Sequence, residues 1–289
     1  MSKVMSLGIV LIIVAAGTVP AATTINETNA YAYGANIGWI NFRGDVTSGA
    51  VIGRYYATGY VWSANCGWIC LGNGPTNGWQ YSNSSADDWG VNHDGTGHLR
   101  GYAYGANIGW IVFESNGNPR VDLSSGTLDG YVWSANCGWI SLSNSFAFVQ
   151  TDYLNNGPDT DADGIPDAYE YQYAGALDVL GPHPDDADGD GMADDSEFVA
   201  DTDPLDSSSL TIITRMERSG TTNRIVWTVR PTRFYRLNES TGLVSGAVWS
   251  DPGLGLMYPG ADGTCTGEVT DTGSAVKFYR VDAVVPLAP

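Results

Sequence analysis

From residue 29 to residue 150, short runs of aromatic and β-branched side chains are separated by breaks rich in Asn, Ser and Gly. Runs such as Tyr60-Val61-Trp62 have the composition of strands. The Ala-Asn-x-Gly that follows predicts a tight turn, because Asn and Gly tolerate the left-handed backbone of a sharp reversal. Trp68 and Ile69 then open a return strand, and Val121 to Trp133 reads likewise as strand, Ser-Gly turn and strand. No stretch has the spacing of a long amphipathic helix, so residues 23–150 are expected to form an all-β domain.

The pattern is duplicated. Residues 31–42 (YAYGANIGWINF) and 102–113 (YAYGANIGWIVF) differ at one position, and residues 60–69 and 131–140 are both YVWSANCGWI. Matched positions lie 71 residues apart. A half-repeat sharing Ala-Asn-x-Gly-Trp-Ile is nested inside, so that Asn36, Asn65, Asn107 and Asn136 mark four copies. Such repetition implies stacked or pseudo-symmetric units. These segments resemble the GWAWSENIGWI-type repeats of secreted bacterial proteins over roughly residues 29–145, a likeness that implies export and β structure but no activity. The periodic placement of Trp39, Trp68, Trp110 and Trp139 predicts that they fill equivalent core layers. Trp79 and Trp89, in a polar insert at residues 72–98, are expected to anchor that loop, with contact to a glycan as the alternative.

Charge changes the picture after residue 150. Seventeen acidic residues lie between Asp152 and Asp206, and no Lys or Arg occurs between Arg120 and Arg215. A solvated, disordered linker is the simplest expectation for such a stretch; the spacing of the acids argues otherwise. Residues 159–170 (DTDADGIPDAYE) and 186–197 (DADGDGMADDSE) both fit D-x-D-x-D-G-x-x-D-x-x-E. A hard cation such as Ca²⁺ takes about six to eight oxygen ligands in a flexible shell. Asp159, Asp161 and Asp163 offer oxygens from alternate positions, Gly164 permits the turn, and the Ile165 carbonyl and Asp167 follow. Glu170 then closes the shell in bidentate fashion. Asp186, Asp188, Asp190, the Met192 carbonyl, Asp194 and Glu197 are assigned the same roles, with Gly191 at the turn. Mg²⁺ is the competing metal, but its tight octahedron suits a shell of carboxylates and a carbonyl less well.

Asn155-Asn156-Gly157-Pro158 and Pro182-His183-Pro184 would break the entering helix of an EF-hand. The loops instead resemble bacterial relatives of the thrombospondin type 3 repeat, with Ala200-Asp-Thr-Asp-Pro-Leu-Asp206 matching that family's trailing element. The resemblance covers about residues 156–208 and implies a calcium-dependent rigid connector with short helices near 167–173 and 194–200. The 27-residue loop spacing and the insertion at Gly181 to Pro184 depart from the family, leaving cross-ligation by Asp178, Asp201 or Asp203 open.

Residues 209–289 regain basic residues. Strands are expected at Leu210 to Thr214, Arg224 to Val229, Arg233 to Leu237 and Lys277 to Val281, with a Phe-Tyr-Arg triplet at 234–236 and again at 278–280. This suggests an immunoglobulin-like sandwich. At the other end, Lys3, an apolar run from Val4 to Ala16 and small residues to Ala21 read as a removed export signal, residues 1–22. The expected organisation is therefore signal, β-repeat domain 23–150, calcium connector 151–208 and C-terminal module 209–289, a mainly β chain. Export permits disulfides. Cys66 and Cys70 lie too far apart along a strand to pair, while Cys66 and Cys137 are either partners or separate buried thiols.

With 32 acidic and 13 basic residues the formal net charge is −19, which excludes a nucleic-acid partner, since phosphate backbones require a basic face. Only three His occur; His93 and His98 in the Gly-rich HDGTGH segment are the one pair of candidate ligands, and no nucleophile or metalloprotease motif is present. The expectation is a secreted or cell-surface structural protein, not an enzyme, whose flanking domains are ordered by calcium and which self-associates through its repetitive β-domain. A calcium-dependent glycan-binding adhesin is the alternative.

Overall fold

The computed structural model describes residues 23–289 except Ser245, Thr272, Ser274 and Ala275, so residues 1–22, expected to be an export signal, lie outside the described residues. Each of the four repeat copies is a hairpin. Strand β1 (Ile25–Gly34) pairs with β2 (Gly38–Asn41), and a short β3 (Val51–Ile52) precedes the pair β4 (Ala57–Ser63) and β5 (Gly67–Gly72). After β6 (Val91–His93) come β7 (Leu99–Gly105) and β8 (Gly109–Phe113). Following β9 (Arg120–Val121) and β10 (Thr127–Asp129), the last copy forms β11 (Tyr131–Ser134) and β12 (Gly138–Ser141). The hairpins stand side by side in the order β1-β2-β4-β5-β7-β8-β11-β12, and β12 pairs back to β1 through Tyr33↔Ser141 and Gly34↔Ile140. An eight-stranded barrel results. Strand β13 (Val149–Thr151) extends the sheet from β1 and carries β10 and β9.

The turns lock the ring. Asn36 donates its side-chain amide to the carbonyl of Cys137, Asn65 to Ile37, Asn107 to Cys66 and Asn136 to Ile108, at 2.9–3.1 Å. Each copy thus holds the turn of the copy before it, and the first holds the last. The x residue of each Ala-Asn-x-Gly turn is buried in that mouth: Ile37, Cys66, Ile108 and Cys137.

Inside the barrel Ile40, Ile69, Ile111 and Ile140 form one layer, Ala32, Val61, Ala103 and Val132 another, and Phe42, Leu71, Phe113 and Leu142 a third. The odd copies combine Ala, Ile and Phe where the even copies combine Val, Cys and Leu. Around the all-Ile layer, therefore, Ala alternates with Val on one side and Phe with Leu on the other, so that a smaller residue in one layer goes with a larger one in the next, as close packing demands. The void left is only about 20 Å³.

The expectation for the repeat tryptophans is overturned. Trp39, Trp68, Trp110 and Trp139 are 43–47% exposed and point outward, while the Ile after each points in. Side chains alternate faces along a strand, so only one of Trp and Ile can face the core. An eight-stranded barrel is just wide enough to be filled by side chains, and the Ile, Ala/Val and Phe/Leu layers already fill this one.

Beyond the barrel, α1 (Asp167–Tyr173) and α2 (Asp194–Ala200) stand where short helices were expected. The C-terminal module has five strands among the described residues. Strands β14 (Ile213–Ser219), β15 (Thr222–Val229) and β17 (Gly263–Thr270) form one antiparallel sheet; β16 (Phe234–Ser240) and β18 (Phe278–Val284) form the other. The two Phe-Tyr-Arg triplets lie in the paired strands β16 and β18. Trp227, Ile225, Tyr235 and Leu237 make the core between the sheets. The fold is mainly β, and no helix among the described residues is long and apolar enough to cross a membrane.

Candidate metal centre

The two acidic loops fold alike, position for position. Asp159, Asp161 and Asp163 bring one carboxylate oxygen each to within 4.8 Å of one another, and so do Asp186, Asp188 and Asp190. The backbone holds them there. Gly164 N–H donates to Asp159 and Gly191 N–H to Asp186, at 3.1 and 2.9 Å. Ile165 N–H donates to Asp163 and Met192 N–H to Asp190, at 2.8 and 2.7 Å. Gly164 and Gly191 have φ of 97° and 98°, a left-handed backbone that glycine alone adopts without strain.

Glu170 and Glu197, from the first turns of α1 and α2, close the two loops and are fully buried. Both oxygens of Glu170 lack any hydrogen-bond partner; Glu197 has one oxygen taken by the Thr202 hydroxyl at 2.9 Å and the other free. Asp163 Oδ2, Asp188 Oδ2 and Asp190 Oδ2 are likewise buried and unpartnered. Burial, then the neighbouring carboxylates Asp161 and Asp163, pushes the Glu170 carboxyl up to about 8. Burial raises that of Glu197 to about 7, against the opposing Thr202 hydrogen bond, with Asp188 and Asp190 adding to the rise. A buried carboxylate without a donor is expensive, and clustering several is more so. The acceptor-only oxygens fit a hard divalent cation, the ligand class that such a shell satisfies.

Asp167 and Asp194 take a different part. The backbone N–H and hydroxyl of Thr160 donate to the two oxygens of Asp167, both at 2.6 Å. Gly181 and Ala187 N–H donate to those of Asp194, at 3.0 and 2.9 Å. These two aspartates brace their loops, leaving contact with a cation to a remaining lone pair or a water. The Ile165 side chain is fully buried against Tyr169, Leu180 and Phe198, so its place after the glycine anchors the loop.

Of the residues left open for cross-ligation, Asp178 is exposed, and Asp203 accepts from Leu205 N–H at 3.1 Å. Asp201 faces the C-terminal module: the Thr232 hydroxyl donates to it and Arg233 pairs with it at 3.6 Å. Buried Arg233 also donates to the carbonyls of Phe198 and Val199 at 2.8 and 2.7 Å, capping the end of α2. On its other side the connector packs against the barrel domain, where Tyr55, Tyr56 and Trp79 join Tyr169 and Phe198 in one apolar cluster. Trp79 is thus an anchor as expected, and Trp89 meets Trp110 edge-to-face at 5.1 Å.

The histidines are not a metal pair. His93 is buried on β6 with Nδ1 against the Gly53 carbonyl at 3.1 Å, and burial holds it down at about 4; His98 Nδ1 contacts Asp94 at 3.1 Å. All four cysteines are unpaired thiols, and burial, with Cys137 across the barrel mouth contributing, raises the Cys66 thiol against the Ser63 hydrogen bond. Comparison with family models, with curated proteins and with solved structures gives no match.

Proposed function

We propose that this is a secreted or cell-surface structural protein in which two calcium ions, one per acidic loop, fix a connector between a β-barrel and a C-terminal β-module. The observation that carries the reading is the pairing of each Asp triplet with a fully buried Glu: both oxygens of Glu170 and one of Glu197 lack a donor. Asp159, Asp161, Asp163, Glu170 and the Ile165 carbonyl would hold one ion; Asp186, Asp188, Asp190, Glu197 and the Met192 carbonyl the other. Bound calcium supplies the positive charge that the segment lacks. The likeness to thrombospondin type 3 repeats supports the same role, with the C-terminal module read as an abbreviated immunoglobulin-like sandwich.

The contacts of the connector say how the ions would act. Its helices touch Tyr55, Tyr56 and Trp79 on one side and Thr232 and Arg233 on the other. Neutralising the loops stabilises a wedge already seated between the two domains, and so sets their angle. Self-association at a surface is the role this rigidity suits. Calorimetric titration of the full chain with calcium tests the reading: two sites are expected, and an Asp163→Ala/Asp190→Ala double variant should give no binding heat. Equal heats from both proteins would refute the site assignment.

A further inference from the structure

The outer wall of the barrel is unlike the rest of this acidic chain. Each hairpin turns three rings outward: Tyr31, Tyr33 and Trp39 in the first copy, then Tyr60, Trp62 and Trp68, then Tyr102, Tyr104 and Trp110, then Tyr131, Trp133 and Trp139. All twelve are 36–50% exposed. The central Trp of each set meets its neighbours edge-on or tilted, at 4.8–6.4 Å between centroids, so the rings brace one another and keep part of each face free. The segments 31–41, 60–70, 102–112 and 131–141 contain no charged residue, in a chain whose net charge is −19. Between the second hairpin and the loop before it lies an open depression of about 320 Å³, lined by Tyr60, Trp68, Ser48 and Asp45. Asp45 Oδ1 accepts from Thr47 and Ser48 N–H, and Oδ2 makes no such bond.

We infer that this aromatic belt is a binding surface for neutral polysaccharide, with the depression at Tyr60, Trp68, Asp45 and Ser48 as one sugar subsite. Ring faces take the apolar face of a pyranose, and a carboxylate with a free oxygen beside a hydroxyl takes its hydroxyl groups. A chain of uncharged sugars meets no repulsion on a charge-free belt. The alternatives fit less well. A second copy would find little area on this convex wall. Anionic lipid is repelled by the net charge of −19, and the belt holds no Lys or Arg to offset it. Tryptophans of adjacent hairpins are two strand spacings apart, at least roughly 10 Å, on the order of a disaccharide, so successive hairpins can engage one chain.

The test is sedimentation of the full chain with microcrystalline cellulose and with chitin, and affinity electrophoresis in a soluble β-glucan, each in calcium and in chelator. Retention on at least one probe is expected. Because the belt belongs to the barrel, binding should survive in chelator, which separates this inference from the calcium reading. Trp68→Ala should weaken binding roughly tenfold, the loss typical of an aromatic anchor. Trp68→Phe should keep part of it, and Asp45→Asn should weaken it without lowering the melting temperature. Replacing Trp39, Trp68, Trp110 and Trp139 together by Ala should abolish binding; if that variant fails to fold, the single substitutions decide. No retention on any probe, unchanged retention in the Trp68→Ala variant, or a concentration-dependent dimer lost in the Trp68→Ala variant would overturn the inference.

Discussion

Replacing Glu170 by Gln should change sign with the metal. In chelator, wild type carries a fully buried carboxyl whose pKa rises from 4.5 to about 8. A group raised in the folded state contributes no penalty below its unfolded pKa, and costs stability as pH climbs through the folded value. Between pH 4.5 and 8 that cost grows to on the order of 5 kcal/mol, capped by whatever free energy opens the loop locally. Gln is nearly isosteric and uncharged, so the metal-free variant should be the more stable protein at pH 8 and equal to wild type at pH 4.5. In calcium the order reverses. An ion at 100-fold excess over its dissociation constant stabilises by about 2.7 kcal/mol, and for a chain of this size each kcal/mol moves the midpoint by about 2–4 °C. Losing the first site should therefore remove roughly 5–10 °C of the calcium-induced shift. Differential scanning calorimetry of both proteins at the two pH values, with calcium and with chelator, gives the four comparisons. A variant less stable than wild type in chelator at pH 8, or one with the full calcium shift, would refute the reasoning.

Three further outcomes follow from the same geometry. His93, held at about 4 by burial, should cost the fold on the order of 3 kcal/mol as pH falls from 6.5 to 4. The sign follows from a depressed pKa, and urea midpoints of wild type against His93→Gln across that range measure it. Asn65→Ala removes one bond of the turn ring and should cost about 1 kcal/mol by chemical denaturation, with a similar cost at Asn107. Arg233→Met uncaps α2 and leaves the Asp201 carboxylate without its counter-charge, and should cost about 3 kcal/mol while raising the calcium concentration needed for half-saturation in the same titration.

The connector was legible because its chemistry is local. A twelve-residue spacing of Asp, Gly and Glu fixes a loop by itself, and the helices at Asp167–Tyr173 and Asp194–Ala200 stand where the resemblance to thrombospondin type 3 repeats implied them. The hairpins were legible for the same reason. Closure was not, since the β1–β12 seam joins residues more than one hundred positions apart, and nothing local to Tyr33 or Ser141 encodes it. The outward tryptophans had a signal that went unread: Tyr31, Tyr33 and Trp39 share one face by parity, and twelve such rings exceed what an eight-stranded interior can hold. The Gly263–Thr270 strand was missed because its residues are small and polar and gain their place by pairing with β15. The bracing role of Asp167 and Asp194 rests on contacts to Thr160, Gly181 and Ala187 that motif spacing does not specify.

The seam has a consequence for how copies of this protein meet. The β1–β12 seam closes the ring of eight strands, so the barrel itself has no edge on which a neighbouring chain can grow as a further strand; the edges of this sheet are the short β3, β6 and β9. Backbone recruitment into fibrils is left only those two- and three-residue edges, despite a sequence rich in β-formers. Whatever the barrel meets, it meets through side chains, and its twelve outward rings are the part of the wall best equipped to make the contact.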